Sequence, residues 1–374
     1  MSGPAEEIRQ AVRRYAAEQL APNAAQWDRE KTFPKKALRG LAEMGLYGVA
    51  IPEEWGGAGL DYTSLAVACE EIAAGDCATS TIVAVNNLVA GIVAGYGSEQ
   101  QKEQFLRPLA AGKMLGAFAL TEPGVGSDAA AITTRAERKG NQYVLNGVKQ
   151  FITSGKTADV TVVFAVTSKD AGKRGISAFL VPTSTPGYNV ARIEEKTGQR
   201  ASDLAQIVFE NCKTEHLLGE EGAGYRIALA NLESGRINVA AQATGVARAA
   251  LEAAIAYSRE RKSMGKHLIE HQAVNFRLAD MATEVEAARQ LYLHAARLRD
   301  ERQPCLKEAS MAKLFASEMA EKVCSDAIQI HGGYGYVADF PVERYWRDVR
   351  VTKIYEGAND IQRLLIGRIL EEGS

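Results

Sequence analysis

"PGVGSDAAAITTRAERKGNQYVLNG", Pro123 to Gly147, is where two architectures part company. Gly124 to Ala129 has the spacing G-x-G-x-x-A of a dinucleotide-binding turn, and it follows the apolar run "LGAFAL", Leu115 to Leu120. Such a turn must open a helix within a βαβ unit. Here Pro123 precedes it, and the residues beyond run into β-prone sequence punctuated by the turn signals Lys139-Gly140-Asn141 and Asn146-Gly147. The stretch therefore reads as a Gly-rich loop leading into β hairpins, able to lie against a flat or anionic ligand.

Outward from it the pattern stays β across "YVLNGVKQFITS", "DVTVVFAV", "GISAFLV" and "LAQIVFENC", and turns helical on both sides. Upstream, Ile8, Val12, Tyr15 and Ala16 form one stripe, Pro34 opens a segment with Leu38, Leu41 and Met44, and Ser98 with Gln101 makes a capping box. Downstream of Gly222 come three long, Ala-rich amphipathic stretches, the composition of an antiparallel bundle with close packing. The fold class is α+β: an N-terminal helical domain (1–114), a middle antiparallel β domain (115–221) and a C-terminal four-helix bundle (222–374).

The chain has 374 residues, enough for two to three domains. With 44 basic and 46 acidic residues, a net charge of −2 gives no global electrostatic case for nucleic acid or an anionic membrane. Five scattered cysteines without a C-x-x-C indicate neither a disulfide framework nor a zinc site and fit a reducing compartment. The start "MSGPAEEIRQ" has neither a signal-peptide nor a transit-peptide pattern, so a cytoplasmic protein, or a processed mitochondrial matrix protein, is expected. "CATSTIVAVNNLVAGIVAGYG", Cys77 to Gly97, is long enough to span a bilayer, but Asn86 and Asn87 at its centre favour a buried core helix.

Other segments can carry chemistry. "HLIEH", His267 to His271, fits an inverted zinc-protease motif, yet it follows Gly265 at a break in the helical pattern rather than sitting on a helix, so no metal is expected. "RERKSMGK" gathers Arg259, Arg261, Lys262 and Lys266 around Gly265, either a solvated helix end or a pyrophosphate site. "QIHGGYGY", Gln329 to Tyr336, reads as a helix C-cap or a backbone that a ligand approaches closely. In "RVTKIYEGANDIQRLLIGRILEEG", Glu356 stands on a turn before an amphipathic helix that Asn359 or Asp360 can cap; alone, it would be a solvated loop acid.

Together "ALTEPGVGSD", "FITSG", "RERKSMGKHLIEHQA", "QIHGGYGYVADFPVERYWRD" and "IYEGANDIQRLLIGR", in this order and over essentially the whole chain, resemble the acyl-CoA dehydrogenase family, closest to its short-chain and short/branched-chain members. The resemblance implies FAD, oxidation of an acyl-CoA thioester to the trans-2-enoyl-CoA, reoxidation by electron-transfer flavoprotein, and a homotetramer arranged as a dimer of dimers, without nucleic acid or membrane span. It implies Glu356 as the general base, its backbone N–H helping to polarise the thioester. It implies flavin contacts from Phe118, Leu120, Thr121, Ser127, Phe151 and Thr153, with Ala358 and Asp360 also at the cofactor. Arg261 and Gln272 would reach the FAD of a neighbouring subunit, and Gln329 to Gly333, including Gly332, would run along its adenosine part. Substrate contacts would come from Ser127, Glu233, Ser234, Gly235, Arg236 and Gly357.

Three departures stand out. Relatives often carry Trp at Phe151, Thr at Ala358 and Thr at Leu204. Some members place the acid on the helix at the position of Gly235 instead of on the closing loop, which leaves Glu356 as this chain's base. The run Cys77-Ala78-Thr79-Ser80-Thr81 lacks the Arg that dicarboxyl-CoA members use. Two rivals remain, a flavin-dependent oxidase or monooxygenase on the same fold and a non-catalytic nucleic-acid-binding member. The near-neutral charge and the presence of Glu356 weigh against the second.

Overall fold

The computed structural model describes residues 3–373. Helices Pro4–Tyr15, Ala21–Glu30, Lys35–Glu43, Tyr62–Gly75 and Cys77–Tyr96 make up the first part. The last two start where the sequence chemistry requires, with Asp61 accepting from the Ser64 N–H and Asp76 from the Thr79 N–H. The Ser98–Gln101 capping box is also formed. Cys77–Tyr96 is long and apolar enough to cross a membrane, but 78% of its most apolar window is buried within the protein. Its central asparagines explain why: Asn86 and Asn87 donate to the carbonyls of Tyr47 and Leu46 at 3.0 and 2.8 Å, and Asn86 accepts from the Gly116 N–H at 2.9 Å. These bonds hold a loop and the first strand against the helix, satisfying polar groups that would be costly to bury alone.

The middle part is an eight-stranded sheet, β1 (Gly116–Ala119), β2 (Arg135–Lys139), β3 (Gln142–Thr153), β4 (Val160–Val166), β5 (Ile176–Pro182), β6 (Tyr188–Ile193), β7 (Leu204–Thr214) and β8 (Leu217–Leu218). The order is β6-β7-β3-β2-β4-β5-β8, with β1 also on β4. Hairpin neighbours pair antiparallel as expected, but β1 runs parallel to β4, Gly116 opposite Val160, and β2 meets β4 parallel at one position. No hairpin closes β1 onto β4, so local turn chemistry imposes no antiparallel register there. Between Lys149 and Ile152 the β3–β7 register shifts, and Phe151 takes a positive φ of 59°. This bulge turns the Phe151 ring out of the sheet.

Four bundle helices follow: the first Gly224–Glu260, the second Gln272–Asp300, the third Leu306–His331 and the fourth Asn359–Glu372. Their shared face is mostly alanine, among it Ala240, Ala243, Ala247, Ala312, Ala316 and Ala320, which lets the axes approach closely. Where helix Tyr62–Gly75 crosses the first bundle helix, a Cβ on Gly245 would sit 2.2 Å from the Glu70 carbonyl oxygen, so only glycine fits. The crossing is charged as well. Buried Glu70 accepts from Arg248 and Arg289, and buried Glu71 from Arg13 and Arg248. Removing one partner from such a buried set costs about 3–5 kcal/mol, because it strands the other charge. The fourth helix departs from expectation at its start: its N-cap is Ala358, without a side-chain cap, and Asn359 is turned into the core.

Candidate active site

Glu356 lies in the turn between a short 3-10 segment, Arg350–Lys353, and the fourth bundle helix, with φ of 54°, followed by Gly357 at 89°. Its carboxylate packs on the first bundle helix at Gly235, where a Cβ would stand 2.3 Å from Oε2. Any larger residue at 235 would occupy the carboxylate's place. The residue is half-buried, yet Oε2 itself is out of reach of water and has no hydrogen-bond partner. The solvated loop acid is thereby overturned. Burial pushes the carboxyl pKa up to about 7, with the Arg236 and Lys313 charges pulling the other way. Among the described residues, no protein acceptor takes the Glu356 backbone N–H.

Arg236 is only 5% exposed, and its Nε and Nη1 have no hydrogen-bond partner. Burial lowers its pKa from the ordinary arginine value, while Glu356 and Glu233 oppose the shift. It sits close enough to Glu356 to feel its charge. Glu233, the other expected substrate contact, accepts from Cys305 Sγ at 3.1 Å and lies 3.9 Å from Arg299. The Tyr62 hydroxyl donates to the Ser234 carbonyl at 2.7 Å, and the Tyr355 hydroxyl donates to Gln242 at 3.1 Å, tying the turn and the first bundle helix to their surroundings.

The Gly-rich loop is fixed at both ends. Buried Lys149 donates to the Leu120 carbonyl and to Glu122, each at 2.9 Å, and the Gln150 N–H donates to the Thr121 carbonyl at 2.9 Å. Glu122 also accepts from the N–H groups of Thr133 and Thr134. Burial works against the ionised Glu122, yet Lys149 and these bonds hold its pKa down at about 2. Between the fixed ends Ser127 is exposed, and a Cβ added to Gly124 or Gly126 would meet no atom within 4 Å. Phe118 and Thr121 are half-buried, and Phe151 is 58% exposed. Thr153 pairs with Leu204 across β3 and β7, so Leu204 does stand beside the expected contact.

A second cleft, of about 620 Å³, brings Arg261 together with Gly332 and Gly333, two segments distant in sequence; Tyr257, Ser263, His331 and Tyr334 complete much of its wall. A Cβ on either of these glycines would also meet nothing within 4 Å. Gln272 and Gln329 are exposed and do not line this cleft. Asp360 is exposed and pairs with Arg363 at 3.1 Å, and Ala358 is half-buried at the helix start. The "HLIEH" segment forms one strand of a two-residue hairpin and a 3-10 turn instead of a helix, so its histidines do not share a helical face. Among the described residues no group of three or more His, Cys, Asp or Glu side chains is arranged to hold a metal ion.

Sequence reading missed two residues that complete the site, Lys313 and Gln362. Lys313 Nζ donates to the Gly357 carbonyl at 2.9 Å, and the Gln362 amide donates to the same oxygen at 2.8 Å. The signal for Lys313 was there: a lone cation at helical spacing among Ala309, Ala312, Ala316 and Ala320. A charge on a buried stripe requires a partner.

This geometry has close counterparts. Family models for the acyl-CoA dehydrogenase N-terminal, middle and C-terminal domains match residues 4–113, 117–212 and 222–371. The mitochondrial short-chain specific acyl-CoA dehydrogenase of Rattus norvegicus is 48% identical over 96% of this chain and 88% of its own. Butyryl-CoA dehydrogenase from Megasphaera elsdenii superposes with a TM-score of 0.96 at 39% identity, covering 99% of this chain and 100% of that one. A chain from a structure described under the electron transferring flavoprotein of Acidaminococcus fermentans and flavin-based electron bifurcation gives a TM-score of 0.98 at 44% identity, covering 99% and 98%. With three domain models matched in order and relatives of this identity along nearly the full length, the chain belongs to the acyl-CoA dehydrogenase family.

Proposed function

We propose that this enzyme dehydrogenates a short, unbranched acyl-CoA at its α and β carbons, with Glu356 as general base, FAD as cofactor and electron-transfer flavoprotein as oxidant. One observation carries the reading: a carboxylate oxygen that is buried, unpartnered and seated against a glycine. A base that must take a proton from a weakly acidic carbon needs a raised proton affinity and an acceptor oxygen that no protein donor claims, and Glu356 has both.

The residues present fit FAD. The outward Phe151 ring offers a stacking surface, the Gly124–Gly126 loop leaves open space beside Leu120 and Thr121, and the cleft of Arg261, Gly332 and Gly333 suits a phosphate-bearing group. Bound there, FAD would supply the hydride acceptor for the β-hydrogen. The chain does the rest. Glu356 removes the α-proton, and its N–H, unclaimed by any protein acceptor among the described residues, would donate to the thioester oxygen as negative charge develops there. Arg236 and Lys313 favour the ionised base, and Gly235 leaves room for its carboxylate.

Short substrates are favoured by the likeness to the rat short-chain specific enzyme and the Megasphaera butyryl-CoA dehydrogenase. A dicarboxylic substrate is disfavoured because the buried start of helix Cys77–Tyr96 offers Thr79, Ser80 and Thr81 but no cation. A homotetramer accords with large apolar side chains left in solvent by a single chain, Met264 at 92% and Tyr336 at 86% exposed. We place the enzyme in the cytoplasm, or in the mitochondrial matrix if the source is eukaryotic. The test is a panel of acyl-CoAs from butyryl to palmitoyl, with isobutyryl and 2-methylbutyryl, assayed with an artificial electron acceptor. Highest kcat/KM for butyryl-CoA is expected; a preference for long or branched chains would overturn the substrate assignment.

A further inference from the structure

Lys313 is fully buried on the third bundle helix, yet among the described residues its bonds go to neutral oxygens instead of a carboxylate. Its Nζ donates to the Gly357 carbonyl at 2.9 Å and to Asn359 Oδ1 at 2.8 Å. From the fourth helix, Gln362 Nε2 donates to the same Gly357 carbonyl at 2.8 Å and more distantly to the Glu356 carbonyl at 3.4 Å. Asn359 is anchored in turn, its Nδ2 donating to Ser317 Oγ at 3.0 Å. All these bonds converge on a turn whose two residues, Glu356 and Gly357, both have positive φ. For a glutamate that backbone is uncommon and persists only where the surroundings over-determine it.

We propose that Lys313 is a positioning residue of the reaction: with Gln362 it clamps the Gly357 carbonyl and so holds Glu356 in the left-handed turn that lays its carboxylate against Gly235. The inference rests on Glu356 being the base. Lys313 also acts through its charge, which is present on the acid side of neutrality and fades above it, since burial lowers its own pKa to about 7 while Glu356 opposes the shift. Facing Glu356 are Arg236 from the first bundle helix, Lys313 from the third, Tyr62 from helix Tyr62–Gly75 and the adjacent Tyr355; facing Lys313 are Arg236, Glu318 on its own helix and Lys353 from the 3-10 segment. Arg236 and Lys313 are the two cations that favour the ionised base. Without Lys313 only one is left, so the carboxylate should take up its proton at higher pH.

The two parts of the device separate experimentally. The kcat/KM pH profile, flavin content and hydrogen exchange of segment 354–362 are measured for the wild type, Lys313→Met and Gln362→Met. Lys313→Met is expected to bind flavin, to lose about 10²-fold in rate through misplacement of the base, and to move its acid limb up by about one pH unit. Gln362→Met is expected to lose rate without moving the limb, and in both variants the segment exchanges faster. Wild-type rate and limb in Lys313→Met would overturn the proposal, as would weakened flavin loading with normal kinetics per loaded enzyme, which marks a fold support. Should Lys313→Met not fold, a wild-type rate and exchange pattern in Gln362→Met overturns the clamp. The base assignment is checked separately in the same series, since butyryl-CoA must bleach the Glu356→Gln flavin at least about 10²-fold more slowly than the wild-type flavin.

Discussion

At Glu356 the requirement for reactivity and the requirement for stability oppose each other. Burial lifts its pKa to about 7, above the ordinary carboxylate range. The folded protein therefore holds this proton more tightly than the unfolded chain. Its contribution to stability is greatest below the ordinary carboxylate pKa and is lost as pH rises toward about 7. With Glu356 as the proposed base, activity should run the opposite way, because only the ionised form can accept the α-proton. Two outcomes are expected: an acid limb in kcat/KM near pH 7, and a Tm advantage of Glu356→Gln over wild type that widens between about pH 5 and 8. Thermal unfolding across that range checks the second, and a constant difference would remove the link between burial and basicity. The place of Glu356 on a turn was legible in the sequence because it lies inside a recognisable segment. Lys313 showed only as a cation on an alanine stripe, and its partners, a backbone carbonyl and a side chain more than forty residues away, are encoded by no local pattern.

Between elements, the contact that matters is the closing turn on the first bundle helix. A Cβ at position 235 would collide with the carboxylate, so Gly235→Ala should displace the base and cost about 10²-fold in rate, since about 1 Å of misplacement has that effect. Glu356→Gly with Gly235→Glu should recover part of the activity lost in Glu356→Gly alone, because the space vacated by one carboxylate is where the other would project. Steady-state rates per bound flavin measure both, and no recovery at all would mean that the two positions do not address the same carbon. Elements with local chemistry were readable: the Ser98–Gln101 box and the Lys139-Gly140-Asn141 turn both formed, whereas Asn146-Gly147, expected as a second turn, lies inside β3, where both residues pair with neighbouring strands. The start of the fourth helix was misread because Asn359, a good capping residue by type, is recruited by Lys313 and Ser317 instead. The parallel β1–β4 pairing was hidden for a related reason, since it joins strands that no turn connects.

For the whole molecule, the α, β, α succession followed from the change of hydrophobic period along the chain, and the helical, β and helical parts are present. Of the residues that the sequence assigns to the cofactor, one set gathers at the Gly-rich loop and β3 and another, Arg261, Gly332 and Gly333, at the cleft, while Gln272 and Gln329 line neither and Ala358 and Asp360 stand at the start of the fourth bundle helix. If that cleft takes the phosphates of a FAD bound mainly by a second subunit, Arg261→Ala should weaken flavin retention by about 1.5–3 kcal/mol while leaving the Glu356 turn intact. Flavin occupancy after dialysis, with mass in solution, measures this; unchanged occupancy would count against a shared cofactor site.

The most direct test of Glu356 as the base is anaerobic stopped-flow bleaching of the enzyme's flavin by butyryl-CoA, wild type against Glu356→Gln. The substitution keeps the size of the side chain and removes its proton acceptor. Full flavin binding with reduction slowed by about 10²- to 10⁴-fold is the predicted result; reduction at the wild-type rate would show that the α-proton leaves by another route and contradict the role of Glu356.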